Sequence, residues 1–168
     1  MKFHWQSLLA LYLLSCLAFA GQGKQTPGAV ANADGLLKVH TFCLDTSQLT
    51  PKQLSNLREF AASADKPKGV FTKLHWQRLD ACGSADAMVK VSMEETQGTA
   101  PFGDSSNLQD KTQAMKSVQI QRARIVVTNR ASGMILYETE SGEFTDDREG
   151  AYGGAFSRLL KDLKNLRK

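Results

Sequence analysis

Strict alternation of apolar and polar residues dominates the second half of this chain, and a helical recurrence marks two segments flanking it. Over residues 85–94, Ala87, Val89, Val91 and Met93 share one parity while Lys90, Ser92 and Glu94 share the other. That pattern predicts a strand with one dry and one wet face. Over residues 70–79, Val70, Thr72, Leu74 and Trp76 alternate with Lys73, His75 and Gln77, which predicts a second half-buried strand with His75 toward solvent or a shallow groove. Residues 118–128 and 134–140 form a predicted hairpin around 129–133, where Gly133 can take a positive φ. The inward parity changes between Ile120 and Ala123, which predicts a bulge. Residues 36–44 supply the first strand, with Leu37, Val39 and Thr41 on one face.

The helix signals are local and chemical. Thr50 is placed as an N-cap, Pro51 at the first helical position and Gln53 to complete a capping box, with Leu49 stapling against Leu54. Leu54, Leu57, Ala61 and Ala64 then recur at helical spacing beside Phe60, until Pro67 and Gly69 end the element. Near the end of the chain, Phe156, Leu159, Leu160, Leu163 and Leu166 make an apolar stripe opposite Arg158, Lys161, Asp162 and Lys164. The predicted order is β-α-β-β-β-β-α. Strands with one wet face and helices with one dry stripe predict a two-layer α+β sandwich, with a mainly antiparallel sheet and both helices on one face. The first β-α-β step is expected to cross over right-handed.

The ends of the chain carry different information. Lys2 and His4 precede an apolar run over residues 8–17, and Ala18-Phe19-Ala20 has the small-x-small pattern of a signal-peptidase site, so residues 1–20 are expected to be an export signal. The apolar run is too short to span a bilayer core of about 30 Å. A second reading makes Leu13-Leu14-Ser15-Cys16 a lipobox with Cys16 lipidated, the one route by which this reading brings the protein to a membrane. The apolar continuation at residues 17–20 favours cleavage after Ala20 instead. Residues 21–34 lack periodicity and are expected to be a flexible leader, followed by a single domain over 35–168 interrupted by a long polar loop at 96–116.

Removal of the signal leaves Cys43 and Cys82, an even number in a compartment that permits oxidation, so a disulfide is expected. The competing use of these side chains is a metal site of His40, Cys43, His75 and Cys82, which strand geometry disfavours because His40 and Cys43 point to opposite faces. Free thiols are the third possibility. The formal charge of +4 is spread among mixed acids and bases, which describes a solvated surface and excludes a nucleic-acid stripe. The basic ending, from Arg158 to Lys168, fits cations at the negative end of a helix, with a patch for anionic lipid or polymer as the alternative. Asp146, Asp147 and Glu149 fit the positive end of the same helix, with Asp147 as its cap; they lack the spacing of a calcium loop. No nucleophile elbow, His-Glu-x-x-His or phosphate loop is present, and residues 150–154 lack the Lys-Ser/Thr ending that a phosphate loop needs. No cofactor is implied. The candidate interaction residues are His75 and Trp76 on the 70–79 strand and Phe102 in the polar loop.

The first strand, the capped helix, the segment Ser84-Ala-Asp-Ala-Met-Val-Lys-Val91, the hairpin strands at 123–127 and 133–137 and the Leu-rich final helix resemble a group of small bacterial envelope proteins. Their fold is similar to the curli-secretion lipoprotein and the amino-terminal domain of TolB. The resemblance implies an assembly or interaction module with no catalytic motif to carry over; the two cysteines and the polar stretch are departures from it. Two function classes follow. One is an exported non-catalytic domain that binds an envelope protein or surface polymer. The other is a small hydrolase or metal-dependent enzyme using His40, His75 or the Asp146-Asp147 pair.

Overall fold

The computed structural model describes residues 28–102, 114–145 and 150–168. In chain order these form β1 (Ala29–Val30), α1 (Ala33–Leu37), β2 (Thr41–Asp45), α2 (Pro51–Ala64), α3 (Val70–Leu74), β3 (Gln77–Arg78), a 3-10 turn (Cys82–Ser84), β4 (Ala87–Phe102), β5 (Ala114–Asn129), β6 (Ile135–Glu140), β7 (Phe144–Thr145) and α4 (Gly150–Leu166). The architecture is α+β. Its sheet runs β1-β6-β5-β4-β2-β3, with β7 pairing to β5 beyond the end of β6. β2 lies parallel to both β3 and β4, and the other pairings are antiparallel.

One face of the sheet is dry. Phe42 of β2, Ala87, Val89 and Val91 of β4, Ala123, Ile125 and Val127 of β5 and Tyr137 of β6 form its buried row. All four helices bury their apolar residues in the same cluster, so they share that face. α2 contributes Leu57, Phe60, Ala61 and Ala64; α4 contributes Phe156, Leu159 and Leu163, all fully buried, with Leu160 and Leu166 at the margin. Aromatic rings tie the helices together: Phe60 stacks on Phe156 at 5.5 Å, and Phe71 sets its edge against Phe42 at 4.9 Å and Phe156 at 5.0 Å. Each fully buried side chain of this size stabilises the fold by roughly 1.5–3 kcal/mol. The Thr50 cap forms with its box complete, as Gln53 N–H donates to Thr50 Oγ1 and Thr50 N–H donates to Gln53 Oε1.

Several expectations are corrected. The strand expected over 36–44 begins at Thr41, because residues 33–37 form α1, capped by Asn32, whose side chain accepts from Gly35 N–H at 2.8 Å. Leu36 and Val39 are both buried, the i, i+3 spacing of a single turn. The flexible leader therefore does not extend to residue 34: β1 pairs with β6, and Ala31 and Asn32 N–H donate to Leu136 O. Residues 21–27 lie outside the described residues. The first half of the strand expected over 70–79 is α3, since Val70 and Leu74 satisfy both the two-residue and the helical period and the helix buries Phe71 and Leu74; only Gln77–Arg78 of that span is strand. Of the polar loop expected over 96–116, residues 96–102 and 114–116 are strand, with β4 and β5 paired out to Phe102 and Ala114, and residues 103–113 lie outside the described residues. The β4–β5 register is unbroken through Ile120 and Ala123, so the predicted bulge is absent there; the irregularity lies between β5 and β6 at Val127 and Thr128. It lets Leu136 and its neighbour Tyr137 both be fully buried. The sheet is mixed, and α1 and α3 join the two expected helices.

Cys43 and Cys82 are bonded, with Cα atoms 5.2 Å apart across a separation of 39 residues. Cys43 sits mid-strand next to Phe42 and so projects from the sheet face opposite the helices, while Cys82 follows the end of β3. Gly133 closes the β5–β6 turn at φ 70°.

Candidate functional site

Two features stand apart from the core, a groove at the start of the parallel strands and a ribbon that leaves the sheet. The groove, of about 610 Å³, is bordered by His40, Asp65, His75, Trp76 and Arg78. Parallel pairing of Thr41 with Gln77 brings His40 beside this segment, and Gln77 N–H donates to His40 O at 2.8 Å. His75 ends α3 in the left-handed region at φ 61°, and its N–H and that of Trp76 cap the helix through Thr72 O and Phe71 O. This turn leaves His75 exposed and sends Trp76 inward, where it is 4% exposed and packs on Phe42 at 5.7 Å. Trp76 thus belongs to the core and not to an interaction surface. Its Nε1 is buried without a hydrogen-bond partner among the described residues.

Around the groove the polar groups answer one another. Arg78 donates through Nε and Nη2 to Asp65 Oδ2 at 3.1 and 2.7 Å. Asp86 Oδ2 accepts from the N–H groups of Thr41 and His40 and from the Thr41 hydroxyl, at 2.8, 3.0 and 2.9 Å. Those backbone donors, Thr41 first, hold the Asp86 carboxyl below the ordinary range. The Thr72 hydroxyl donates to Lys66 O at 2.9 Å. Both threonine hydroxyls therefore already have acceptors, and neither is set up as a nucleophile for an imidazole. The alternative metal set of His40, Cys43, His75 and Cys82 fails on its sulfurs, which are bonded to each other as expected. Among the described residues no three His, Cys, Asp or Glu side chains are placed to hold a metal ion.

The ribbon is the larger feature. β4 and β5 pair over 16 residues each, but β2 accompanies β4 only to Lys90, and β7 accompanies β5 only to Ile120. From Val91 outward the other edge of β4 has no strand partner among the described residues. The ribbon also reverses its chemistry. On the helix side the row Val91, Met93 and Ala123 turns polar at Glu95, Gln119 and Gln121. Glu95 accepts from the side-chain amides of Gln53, Gln119 and Gln121 at 3.1, 2.6 and 3.5 Å. On the opposite side the charged row Glu94, Arg122 and Arg124 gives way to Thr96 and Ile120, then Gly98 and Val118. The parity change at Ile120 thus marks a change of apolar face along an unbroken strand. Phe102 pairs with Ala114 at the far end of the described ribbon, well away from His75 and Trp76 along the sheet. Asp146, Asp147, Glu149 and Cys16 lie outside the described residues.

A scan of family models found no match, and no curated protein matches the chain. Among solved structures, a PDZ domain protein from Parabacteroides distasonis aligns at 11% identity and a TM-score of 0.42, over 73% of this chain and 31% of its own. The chain thus spans about a third of that protein's length. A protein described as a neuraminyllactose-binding hemagglutinin homologue from Helicobacter pylori aligns at 10% identity and a TM-score of 0.35, over 88% of this chain and 90% of its own. Both likenesses are distant, and nothing about function is carried over from either.

The open edge of β4 was not legible from residue pattern alone. Gly98, Thr99 and Pro101 mark a loop by composition, and only pairing with a distant segment makes them strand.

Proposed function

We propose that this chain is an exported, non-catalytic domain of the bacterial envelope that acts by binding another protein. The observation that carries the proposal is the β4 edge, a strand that continues beyond its parallel neighbour and leaves backbone donors and acceptors without a strand partner. Native sheets cover or blunt such edges unless they are used, and strand addition is a recurrent mode of protein recognition. Export is supported by the signal-like residues 1–20 and by the Cys43–Cys82 disulfide, which fits an oxidising compartment. Among the described residues no helix is long and apolar enough to cross a membrane. The periplasm is the compartment that best fits these features, with lipidation at Cys16 as the alternative that would tether the domain to a membrane. The resemblance to envelope assembly modules points the same way.

Two measurements in the native host test this together. Intact mass is expected to report a chain beginning at residue 21 and lacking two hydrogens. In-cell cross-linking is expected to trap a discrete heterologous species that the variant Gln97→Pro loses. An unprocessed, reduced chain, or cross-links that the variant leaves unchanged, would overturn the proposal.

A further inference from the structure

Resting on that reading, we infer the chemistry of the partner: an extended segment that pairs with β4 between Val91 and Thr99 and carries an apolar and a basic side chain four residues apart on one face. The direction of the backbone groups comes first. Ala123 exchanges hydrogen bonds with Ser141, its N–H donating to Ser141 Oγ and its C=O accepting from Ser141 N–H. Odd positions of β5 therefore face β6 and even positions face β4, because both backbone groups of a strand residue point the same way. Through the β4–β5 register, even positions of β4 bond to β5, and Met93, Glu95, Gln97 and Thr99 turn their amides to the open edge.

The side chains then choose the occupant. A Cβ at Gly98 would lie 2.4 Å from Ile120 Cδ1, so Ile120 fills the space above Gly98 and places its methyl group over β4, within reach of a side chain on a strand added beside it. The residue opposite Gly98 meets that methyl group and gains by being apolar. Four residues along the same face stands Glu94, exposed, its cross-strand neighbour Arg122 already paired with Glu143. The residue opposite Glu94 gains by being basic. The spacing of four holds for a parallel or an antiparallel addition, since side chains on one face recur every second residue. A second copy offers no match at the acidic position when its own β4 pairs about Glu94, because like charges then oppose each other.

The test uses the oxidised full-length mature chain and ten-residue synthetic peptides of alternating Thr and Val, with Leu and Lys four apart on one face. Fluorescence anisotropy is expected to show saturable binding, and amide hydrogen exchange to show new protection at residues 91–99. Replacing the peptide Lys by Glu is expected to weaken binding about fivefold to tenfold, the size of an opposite-charge cross-strand pair turned into a like-charge pair. Glu94→Lys in the protein is expected to reverse that preference, and Gln97→Pro, which removes an outward amide and no ribbon bond, to abolish binding with an unchanged thermal midpoint. Equal affinity for the Lys and Glu peptides, or protection elsewhere, would overturn the inference. So would sedimentation as a dimer with residues 91–99 protected before any peptide is added. If no peptide binds while in-cell cross-links remain sensitive to Gln97→Pro, the partner chemistry is wrong and the interaction role stands; if that sensitivity is also lost, both fail.

Discussion

Asp86 shows how one carboxylate can hold the start of two strands. It accepts the N–H groups of His40 and Thr41 at the start of β2, while its own N–H donates to Thr41 O and its C=O accepts from Arg130 N–H. Its folded pKa is lowered below the unfolded value of 3.8, so its stabilising contribution is complete above 3.8 and is lost as the pH falls through the folded value. Asp86→Ala is expected to cost about 1 kcal/mol at neutral pH, discounted for solvent exposure, and to flatten the acid limb of a stability-versus-pH curve from urea titrations. Tyr152 presents the opposite case. Burial first and the nearby Glu95 second push its phenol up to about 12, so it stays protonated and donates to Gln53 O at 3.0 Å. Tyr152→Phe removes this second donor from Gln53 O, which keeps its bond within α2, and is expected to cost about 0.5–1.5 kcal/mol, read as a lower urea midpoint at constant slope.

At the scale of elements, the segments that misled the sequence reading are short. Residues 70–74 fit both a strand and a turn of helix, and the choice fell to helix because Gly69 comes close enough to Ala64 O that a Cβ there would lie 2.1 Å away. That tight return from α2 brings Phe71 between Phe42 and Phe156. Residues 32–34 look like leader by composition and residues 36–37 like the start of a strand, yet Asn32 supplies a proper helix cap and Leu36 is fully buried. Leu36→Ala is therefore expected to cost about 2–5 kcal/mol, the range for an emptied core site, whereas on the expected strand Leu36 would lie opposite the face of Leu37, Val39 and Thr41 and its truncation would cost about 0.5 kcal/mol or less. Chemical denaturation of the variant distinguishes the two. α2 was legible because a cap, a stripe and a stop signal agree over its 14 residues, and α4 because its apolar stripe recurs along a helix of 17, where a two-residue or five-residue element offers no such redundancy.

At the scale of the molecule, the sheet is pinned at one end by the disulfide and open at the other. The Cys43–Cys82 bond ties mid-β2 to the turn after β3, on the face the helices leave uncovered. Closing a loop of that separation stabilises by about 4 kcal/mol in the chain-entropy model, so Cys43→Ala/Cys82→Ala is expected to lower the unfolding free energy by about that amount while keeping the same fold. Calorimetry with and without reductant checks it: wild type under reductant should match the double variant.

The sequence by itself determined the α+β class, the two long helices, the alternating strands around Val89 and Val126 and the pairing of the two cysteines, because each rests on local periodicity, capping chemistry or compartment. Tertiary structure alone decided that 96–102 is strand, that Trp76 is core and that the apolar face of the β4–β5 ribbon changes sides at Ile120. These depend on what a segment meets across the sheet, and a strand's partner is a long-range contact that its own composition does not encode.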